Sequence, residues 1–380
     1  MTSDVNINLW QAPLSHRRRR RAAALLAAAA LALTGLHAPA YAEPSDPVAE
    51  TAEQAWLASS YLPSATPLLD APAGTAADAT ADTAAQAAAT GGPIETYRTD
   101  RPVAPGVVLD SVDTVDPRGW QRSDALTIDL TKGSRIGYLD TGKVAATGRI
   151  SEMADRAGAV AAVNGDFFDI NNSGAPEGVG IQDGNVVKSP SGNSGKAVAI
   201  DSSGVGRVLD VLFEGTVTLP GGERTPLARL NAAALPAGGI GAYDARWGSY
   251  TRARAVQNVS QVTEALIVDG KVRQVTSGAG QGDIPAGATV LLGRDAGAAR
   301  LAALKPGDAV EVSYRVRPSV DADLVTAVGG RALLVKDGAA QTVDDGTLAA
   351  RMAVGFSADG RKMFLVTVDG NRTANSRGAT

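Results

Sequence analysis

The protein has 380 residues, enough for one large domain or two modest ones, a net charge of −4 and no cysteine. Its only histidines, His16 and His37, lie in a predicted leader, so the rest of the chain has neither imidazole nor thiol. This excludes a Ser-His-Asp triad, a cysteine nucleophile, a histidine or cysteine zinc site and disulfides. Any catalysis must use carboxylates, arginine, lysine, hydroxyls, amides, backbone N–H groups or an oxygen-ligated metal.

The first predicted element is a secretory signal peptide at residues 1–42. Five arginines at 17–21 precede an apolar run at 22–36, and APAYA at 38–42 ends in an A-x-A cleavage motif. The run is too short and alanine-rich for a membrane span, so we expect cleavage after Ala42, a secreted or cell-wall-associated product, and no stable span afterwards. Cleavage leaves 31 basic and 39 acidic residues, a net charge of about −8, which disfavours nucleic acid as a partner.

Residues 43–93 are rich in alanine, threonine and proline, a composition typical of a disordered linker. From Ile94 onward, short apolar runs separated by Gly, Asp and Asn predict many strands. Helical periodicity is clear only at 149–158, with Ser151 as the expected N-cap and Gly158 as the stop, and at 294–304. The predicted fold class is therefore α+β, with strand-rich mixed sheets and a few helices in one catalytic-type domain over 94–380.

The predicted strands are short apolar segments bounded by turn residues. The Asp-Gly pairs at 269–270 and 359–360 predict two hairpin turns. These strands cover residues 106–112, 124–130, 134–140, 158–165, 195–201, 207–219, 253–259, 263–277, 288–293, 308–316, 331–338, 351–357 and 361–370.

The stretch AAVNGDFFDINNSGAPEG at 161–178 carries the strongest candidate chemistry. An apolar strand ends near Asn164. Asp166 and Asp169 follow it closely, and Glu177 lies eight residues beyond Asp169. Carboxylates and an amide at one strand end can do general acid–base work, bind a cation or hold sugar hydroxyls. Two adjoining phenylalanines can raise a carboxyl pKa by desolvation. The alternative is a polar loop with one phenylalanine in the core.

The segment DINNSG at 169–174 also matches the start of a calcium loop, with Asp169 and Asn171 as candidate ligands. Gly180 stands where such a loop has its final glutamate. A calcium or magnesium ion is therefore an alternative for this segment, whereas the main hypothesis requires no cofactor.

A glycine pair and three arginines at predicted strand ends favour an acidic or phosphorylated ligand. Gly329 and Gly330 precede a predicted strand, where their N–H groups can meet an anion, or where they simply form a hairpin turn. Arg331 follows the pair, and Arg351 and Arg372 stand at two further strand ends. Arginine binds phosphate through a planar fork of donors.

In their order along the chain, three stretches resemble the phosphodiester glycosidase family over roughly residues 105–380. They are N-G-x-F-F followed by G-x-x-I-x-x-G within 158–190, a Gly pair before a strand within 327–338, and R-x-A-x-G with V-D-G and S-x-G within 351–380. The resemblance implies an exported α+β domain that cleaves a sugar 1-phosphodiester on its sugar side. It also implies a following helix and an L-D-G-G-G-S strand end, so we expect this domain to be truncated at its C-terminal end.

At the matching positions, the resemblance implies one cleft built from the glycine pair, the carboxylates and the arginines. Asp166 or Asp369 would act as base or stabiliser, and Arg351 and Arg372 would clamp the phosphate. Asn164 and Glu177 would hold sugar hydroxyls. The other implied cleft positions are Phe168, Gly178, Gly329, Gly330 and Ser376.

Two other classes of function stay open at this point. One is a metal-dependent phosphodiesterase that breaks the P–O bond instead of the C–O bond. The other is a non-catalytic module that binds cell-wall or exopolysaccharide sugars. In every case the expected partner is a sugar phosphate or a cell-surface glycan.

Overall fold

The computed structural model describes residues 6–11, 92–192, 195–343, 346–370 and 376–379. Most of the predicted signal peptide and linker, and Arg372, lie outside the described residues. The described part is rich in strands and contains two α-helices, α1 (Ile150–Ala157) and α2 (Ala296–Ala302). The predicted α+β class is confirmed. Among these residues, no helix is both long enough and apolar enough to cross a bilayer.

The strands of the described residues pair both with their neighbours along the chain and with strands that are distant in sequence. In chain order they are β1 (Asn6–Gln11), β2 (Ile94–Ala104), β3 (Val107–Asp116), β4 (Gly119–Asp129), β5 (Ser134–Leu139), β6 (Ala162–Asn164), β7 (Gly180–Gln182), β8 (Asn185–Lys188), β9 (Lys196–Asp201), β10 (Gly206–Thr218), β11 (Arg224–Pro226), β12 (Arg229–Leu230), β13 (Ile240–Tyr243), β14 (Val262–Val268), β15 (Lys271–Ser277), β16 (Ala288–Arg294), β17 (Glu311–Pro318), β18 (Leu324–Gly329), β19 (Val335–Lys336), β20 (Ala339–Ala340), β21 (Arg351–Phe356) and β22 (Lys362–Val368).

These strands form several sheets with mostly antiparallel pairing. One has the order β2-β3-β4-β22-β21, a second β12-β13-β16-β14-β15, and a third β5-β1-β6. The largest has the order β11-β10-β9-β18-β7-β8, with β17 also paired to β10. Because β18 lies between β9 and β7, the end of β18 at Gly329 comes next to the segment that leads into β7.

Strand β1 pairs antiparallel with both β5 and β6, so that Asn6 lies opposite Leu139 on one side and Asn164 on the other. Its residues belong to the predicted signal peptide. Cleavage after Ala42 would therefore remove this strand from the sheet, and the cleavage itself stays a prediction.

The Asp-Gly turns fold as the sequence predicts. Asp269 and Gly270 have φ values of 50° and 69°, the left-handed values that a two-residue hairpin turn requires. Gly360, with φ of 68°, occupies the turn between β21 and β22. Turn chemistry therefore fixes the register of these hairpins.

The two predicted helices are confirmed, with one correction at a cap. Gly158 ends α1 in the left-handed conformation, and its N–H donates to carbonyls of the last turn. Ser151 is not the N-cap, because α1 begins at Ile150, two residues earlier than that cap implies, and Arg149 occupies the cap without a side-chain hydrogen bond. Helix α2 lies within the predicted range 294–304.

Two predicted strands are wrong. Residues 253–259 instead contain a 3₁₀ helix, because buried Arg252 turns inward to pair with Glu264 of β14, with Nε–Oε1 and Nη2–Oε2 distances of 2.8 and 3.1 Å. Residues 331–338 contain only the exposed β19. Strand β2 was missed, since its mixed charged and polar residues lack an apolar run although it pairs with β3.

The elements that carry the candidate site residues are anchored in the main hydrophobic core. Tyr138 of β5, Val163 of β6, Val187 of β8 and Val328 of β18 are all buried members of that core. Burial of these strands fixes the backbone from which the candidate side chains project.

Candidate functional site

Asp166 lies two residues beyond the end of β6, and only 5% of the residue is exposed. Its Oδ1 accepts a hydrogen bond from the Phe167 N–H at 2.7 Å, and its Oδ2 accepts one from the Gly178 N–H. Burial raises the pKa of Asp166 to about 6, against the lowering effects of the Lys188 charge and of the two backbone donors. A carboxyl group with such a pKa can accept and release protons near neutral pH.

Gly178 and Gly329 provide the space for this carboxylate. A Cβ atom on either glycine would lie 2.5 Å from the Cα atom of the other and would also overlap Oδ2 of Asp166. No such restriction holds at Gly330, where a Cβ atom would meet nothing within 4 Å. The close approach of two backbones, rather than a tight turn, therefore requires glycine at both positions.

The glycine pair differs from expectation in its hydrogen bonding. The Gly329 N–H donates to the carbonyl of Val179 at 3.0 Å, and the Gly330 N–H donates to the carbonyl of Lys196 at 3.1 Å. Both groups are therefore used within the sheet. The expectation that they serve as backbone donors to an anion is wrong for this structure, because β18 stays paired on both sides up to its end.

Glu177, Arg331 and Phe167 form the accessible side of the same site. A guanidinium N–H of Arg331 donates to the Glu177 carboxylate, and the Arg331 Cζ lies 3.9 Å from the centroid of the Phe167 ring. The Glu177 and Arg331 side chains are 37% and 40% exposed. A solvent-accessible cation thus pairs with Glu177 and lies on the ring of the residue that follows Asp166 in sequence.

Lys188 is a charged residue at this site that sequence reasoning missed. It ends β8 and is fully buried, and its ammonium donates to the carbonyls of Ser189, Gly178 and Glu177 at 2.7, 2.9 and 3.3 Å. Burial lowers its pKa to about 7, although the charges of Asp166 and Glu177 act in the opposite direction. The sequence offers no signal for this burial, since a lysine at a strand end is usually on the surface.

Asp169 has an ion-pairing role in the loop after β6. Arg254 approaches its carboxylate with Nη2 at 2.6 Å from Oδ1 and Nε at 2.9 Å from Oδ2, and the Ser173 hydroxyl donates at 2.7 Å. Asn171 is exposed. No group of three histidine, aspartate or glutamate side chains that could hold a metal occurs among the described residues. The structure therefore does not gather a ligand set around Asp169 and Asn171.

We expect Asp169→Asn to lower the free energy of unfolding by about 2 kcal/mol, because it removes charged hydrogen bonds from Arg254. Urea denaturation followed by circular dichroism would measure the loss. Asp183→Asn, at an exposed turn, is the matched control and should change stability little. A calcium-induced rise in Tm that is present in the wild type and absent in the Asp169 variant would instead indicate a metal site.

Asn164 and Phe168 frame the loop without approaching Asp166 through any described hydrogen bond. Asn164 is the half-buried last residue of β6. Phe168 forms an isolated antiparallel bridge with Pro176, which helps to close the loop on itself. Their predicted contacts with a substrate stay predictions.

The C-terminal candidates belong to a separate group of contacts. The buried Ser376 hydroxyl donates to the carbonyl of Asp369 and accepts a hydrogen bond from the Arg122 N–H at 3.1 Å. The Asp369 side chain is exposed at the end of β22. No hydrogen bond or ion pair between described residues joins Asp369 or Ser376 to Asp166. A shared cleft with Asp166 stays a prediction for both residues.

Arg351 also differs from expectation. It is buried, and its Nε donates to the carbonyl of Ala379 at 3.1 Å while Nη2 donates to the carbonyl of Thr347 at 2.6 Å. The first bond ties the start of β21 to the segment after β22, and the second ties it to the segment just before β21. These two bonds of Arg351 go to backbone carbonyls, whereas Arg331 pairs with the Glu177 carboxylate.

A groove of about 600 Å³ lies elsewhere, lined by residues 218–222, 269–270 and 309–312 among others. It shares no residue with the Asp166 site. A buried titratable pair beside an exposed arginine is a stronger indication of chemistry than an open groove, so the Asp166 site is the better candidate.

A comparison with known protein families provides further evidence about the function of this site. Residues 261–380 match the phosphodiester glycosidase family. The resemblance is thus confirmed over the C-terminal third of the chain. The matched segment contains the glycine pair and Arg331, whereas Asp166, Glu177 and Lys188 lie before it.

Two solved structures share the fold. A crystal structure described as that of an exported protein of Burkholderia pseudomallei K96243 has a TM-score of 0.58 and 18% identity, covering 75% of this chain and 86% of that one. A hypothetical protein from Synechocystis has a TM-score of 0.60 and 20% identity, and the match covers 75% of this chain but only 54% of that one. At these identities the likeness shows the fold alone. No curated protein sequence matches this chain.

Proposed function

We propose that this protein is an exported hydrolase that cleaves sugar 1-phosphodiesters between the anomeric carbon and the phosphate oxygen. The observation that carries the proposal is the buried Asp166 carboxyl, with its raised pKa, beside the exposed pair of Glu177 and Arg331. The phosphodiester glycosidase match over 261–380 supports the reaction class. The predicted signal peptide and the exported protein of similar fold support export.

In the proposed mechanism, the ionised Asp166 accepts a proton from water as the water oxygen bonds to the anomeric carbon. The bond from that carbon to the phosphate oxygen breaks, and its electron pair leaves with the phosphate. Phosphate is already a fair leaving group, so acid assistance matters less than stabilising an oxocarbenium-like transition state. Free sugar and a phosphate monoester are the products.

Arg331 takes the phosphate-binding role in this proposal in place of Arg351. Its guanidinium is accessible and oriented by Phe167 and Glu177, which reduces the entropy lost when it meets an anion. Glu177 holds Arg331 and is the second carboxylate available to sugar hydroxyls.

The experiment is to incubate the protein with a panel of nucleotide sugars and measure free reducing sugar over time, with and without EDTA. Turnover that survives EDTA supports the glycosidase. Turnover abolished by EDTA and restored by a divalent cation would favour a metal-dependent phosphodiesterase. Binding to glycans without any turnover would favour a sugar-binding module.

We expect Arg331→Gln to lower kcat/KM for such a substrate by about tenfold, mainly through KM, because a charged donor to the phosphate is lost. Steady-state kinetics would measure it. Arg315→Gln, at an exposed arginine that also pairs with a glutamate, is the matched control. Equal kinetics in both variants would remove Arg331 from the site.

A further inference from the structure

We infer that Lys188 is a positioning residue of this site, whose ammonium orients the Asp166 carboxylate and favours its ionised form through the Glu177–Gly178 peptide group. The inference about catalysis rests on the proposed function, whereas the inference about the charge of Asp166 stands on the geometry alone.

One peptide group connects the two charged residues. Its carbonyl, on Glu177, accepts a hydrogen bond from the Lys188 ammonium at 3.3 Å, and its N–H, on Gly178, donates to Oδ2 of Asp166. A peptide group that accepts from a cation is polarised and becomes a stronger donor. The ammonium therefore strengthens the hydrogen bond that holds the carboxylate.

The other bonds of Lys188 fix the same segment. The ammonium also donates to the carbonyl of Gly178 at 2.9 Å, so it holds two successive carbonyls in the turn that carries Glu177. A buried ammonium is costly unless it is well paired, and an apolar side chain of similar volume would often be no less stable there. Packing alone therefore gives no reason for a lysine at this position.

The charged groups around the pair come from several elements. Glu177 belongs to the same loop as Asp166, and its charge raises the pKa of both Asp166 and Lys188. Arg229 of β12 acts on Lys188 in the opposite direction, and the hydroxyl of Tyr138 on β5 stays neutral because burial raises its pKa. The largest favourable interaction for each partner is with the other.

The direct test is the titration of Asp166 in the full chain, followed by ¹³C NMR of labelled aspartate carboxyl groups and assigned with Asp166→Asn. Lys188→Met should raise the Asp166 pKa by about one unit or more, because the charge that lowers it is gone. Lys196→Met, which removes an exposed lysine, is the matched control and should leave the titration unchanged. An unchanged Asp166 titration in Lys188→Met would overturn the inference.

If Lys188→Met does not fold, the reciprocal measurement tests the coupling between Lys188 and Asp166. The Lys188 ammonium can be followed by ¹⁵N NMR in the wild type and in Asp166→Asn. Because the Asp166 charge raises the Lys188 pKa, its removal should lower that pKa. No change would contradict the coupling. These titrations need no substrate, so absence of turnover on sugar phosphodiesters would overturn the proposed function and leave this inference standing.

The kinetic consequence is a shift in the pH profile. With Lys188→Met, the acid limb of kcat/KM should move to higher pH by about one unit, which is a tenfold loss at a pH on that limb. Lys188→Cys, alkylated in the unfolded state with bromoethylamine and refolded, restores an ammonium, and the absence of other cysteines makes the reaction specific. The alkylated protein should recover the wild-type profile. An unshifted profile in a folded, active Lys188→Met protein would contradict a positioning role in catalysis.

Discussion

Asp166→Asn is expected to lower kcat/KM by about 10²- to 10⁴-fold, the range that a general base contributes. The amide keeps the shape of the carboxylate but cannot accept a proton from water. It also places an NH₂ group among backbone donors, so a loss of about 1–3 kcal/mol of stability accompanies the change. Kinetics on the nucleotide sugar that the wild type hydrolyses fastest, at a temperature well below the variant's Tm, separates the two effects.

The pH dependence of kcat/KM in the wild type is a second test of Asp166 as the base. Since the Asp166 pKa is raised to about 6, the carboxyl is protonated below that pH and ionised above it. As a base it must be ionised, so kcat/KM should fall as the pH drops through about 6. Asp183→Asn, at the exposed turn of the neighbouring hairpin, should keep full activity and the same profile. Substantial activity in Asp166→Asn with an unchanged acid limb would exclude Asp166 as the base.

Gly329→Ala is expected to lower the free energy of unfolding by about 3 kcal/mol, at the upper end for overpacking a tight contact. The added methyl group would lie 2.5 Å from the Gly178 Cα and would overlap the Asp166 carboxylate, so backbone must move. In a domain of this size, such a loss lowers the Tm by about 5 °C. Scanning calorimetry would measure the change, and activity should fall with it because Asp166 is displaced.

Gly330→Ala is the matched control, since the neighbouring glycine has open space around its Cα and no left-handed φ. It should change stability by no more than about 0.5 kcal/mol in either direction. Similar melting temperatures in the two alanine variants would mean that the close packing of Gly178, Gly329 and Asp166 is not a feature of the folded protein.

Features governed by local chemistry could be predicted from the sequence. The turn at Asp269–Gly270 and the stop of α1 at Gly158 depend on residues that tolerate left-handed backbone, and both are confirmed. The segment 253–259 has the apolar pattern of a strand, yet it forms a 3₁₀ helix because Arg252 pairs with Glu264. Glu264 is brought next to Arg252 by the position of β14 in its sheet, and a local sequence pattern does not predict that position.

Some residues of the candidate site could be predicted from the sequence, whereas others depend on tertiary packing. Asp166 and Glu177 could be singled out, because carboxylates next to aromatic and turn residues at a strand end are visible in the sequence. Lys188 could not, since its burial depends on how the β7–β8 hairpin packs on the loop after β6. The direction of Arg351 depends on a carbonyl twenty-eight residues away, at Ala379.

We propose that the Asp166 site breaks the bond between the anomeric carbon and oxygen. The most direct test of this proposal is hydrolysis of a nucleotide sugar by the full chain in ¹⁸O-labelled water, with both products analysed by mass spectrometry and Asp166→Asn as the control. The label is expected on the free sugar, at a rate that collapses in the variant. Label on the phosphate product would mean attack at phosphorus and would contradict a glycosidase mechanism.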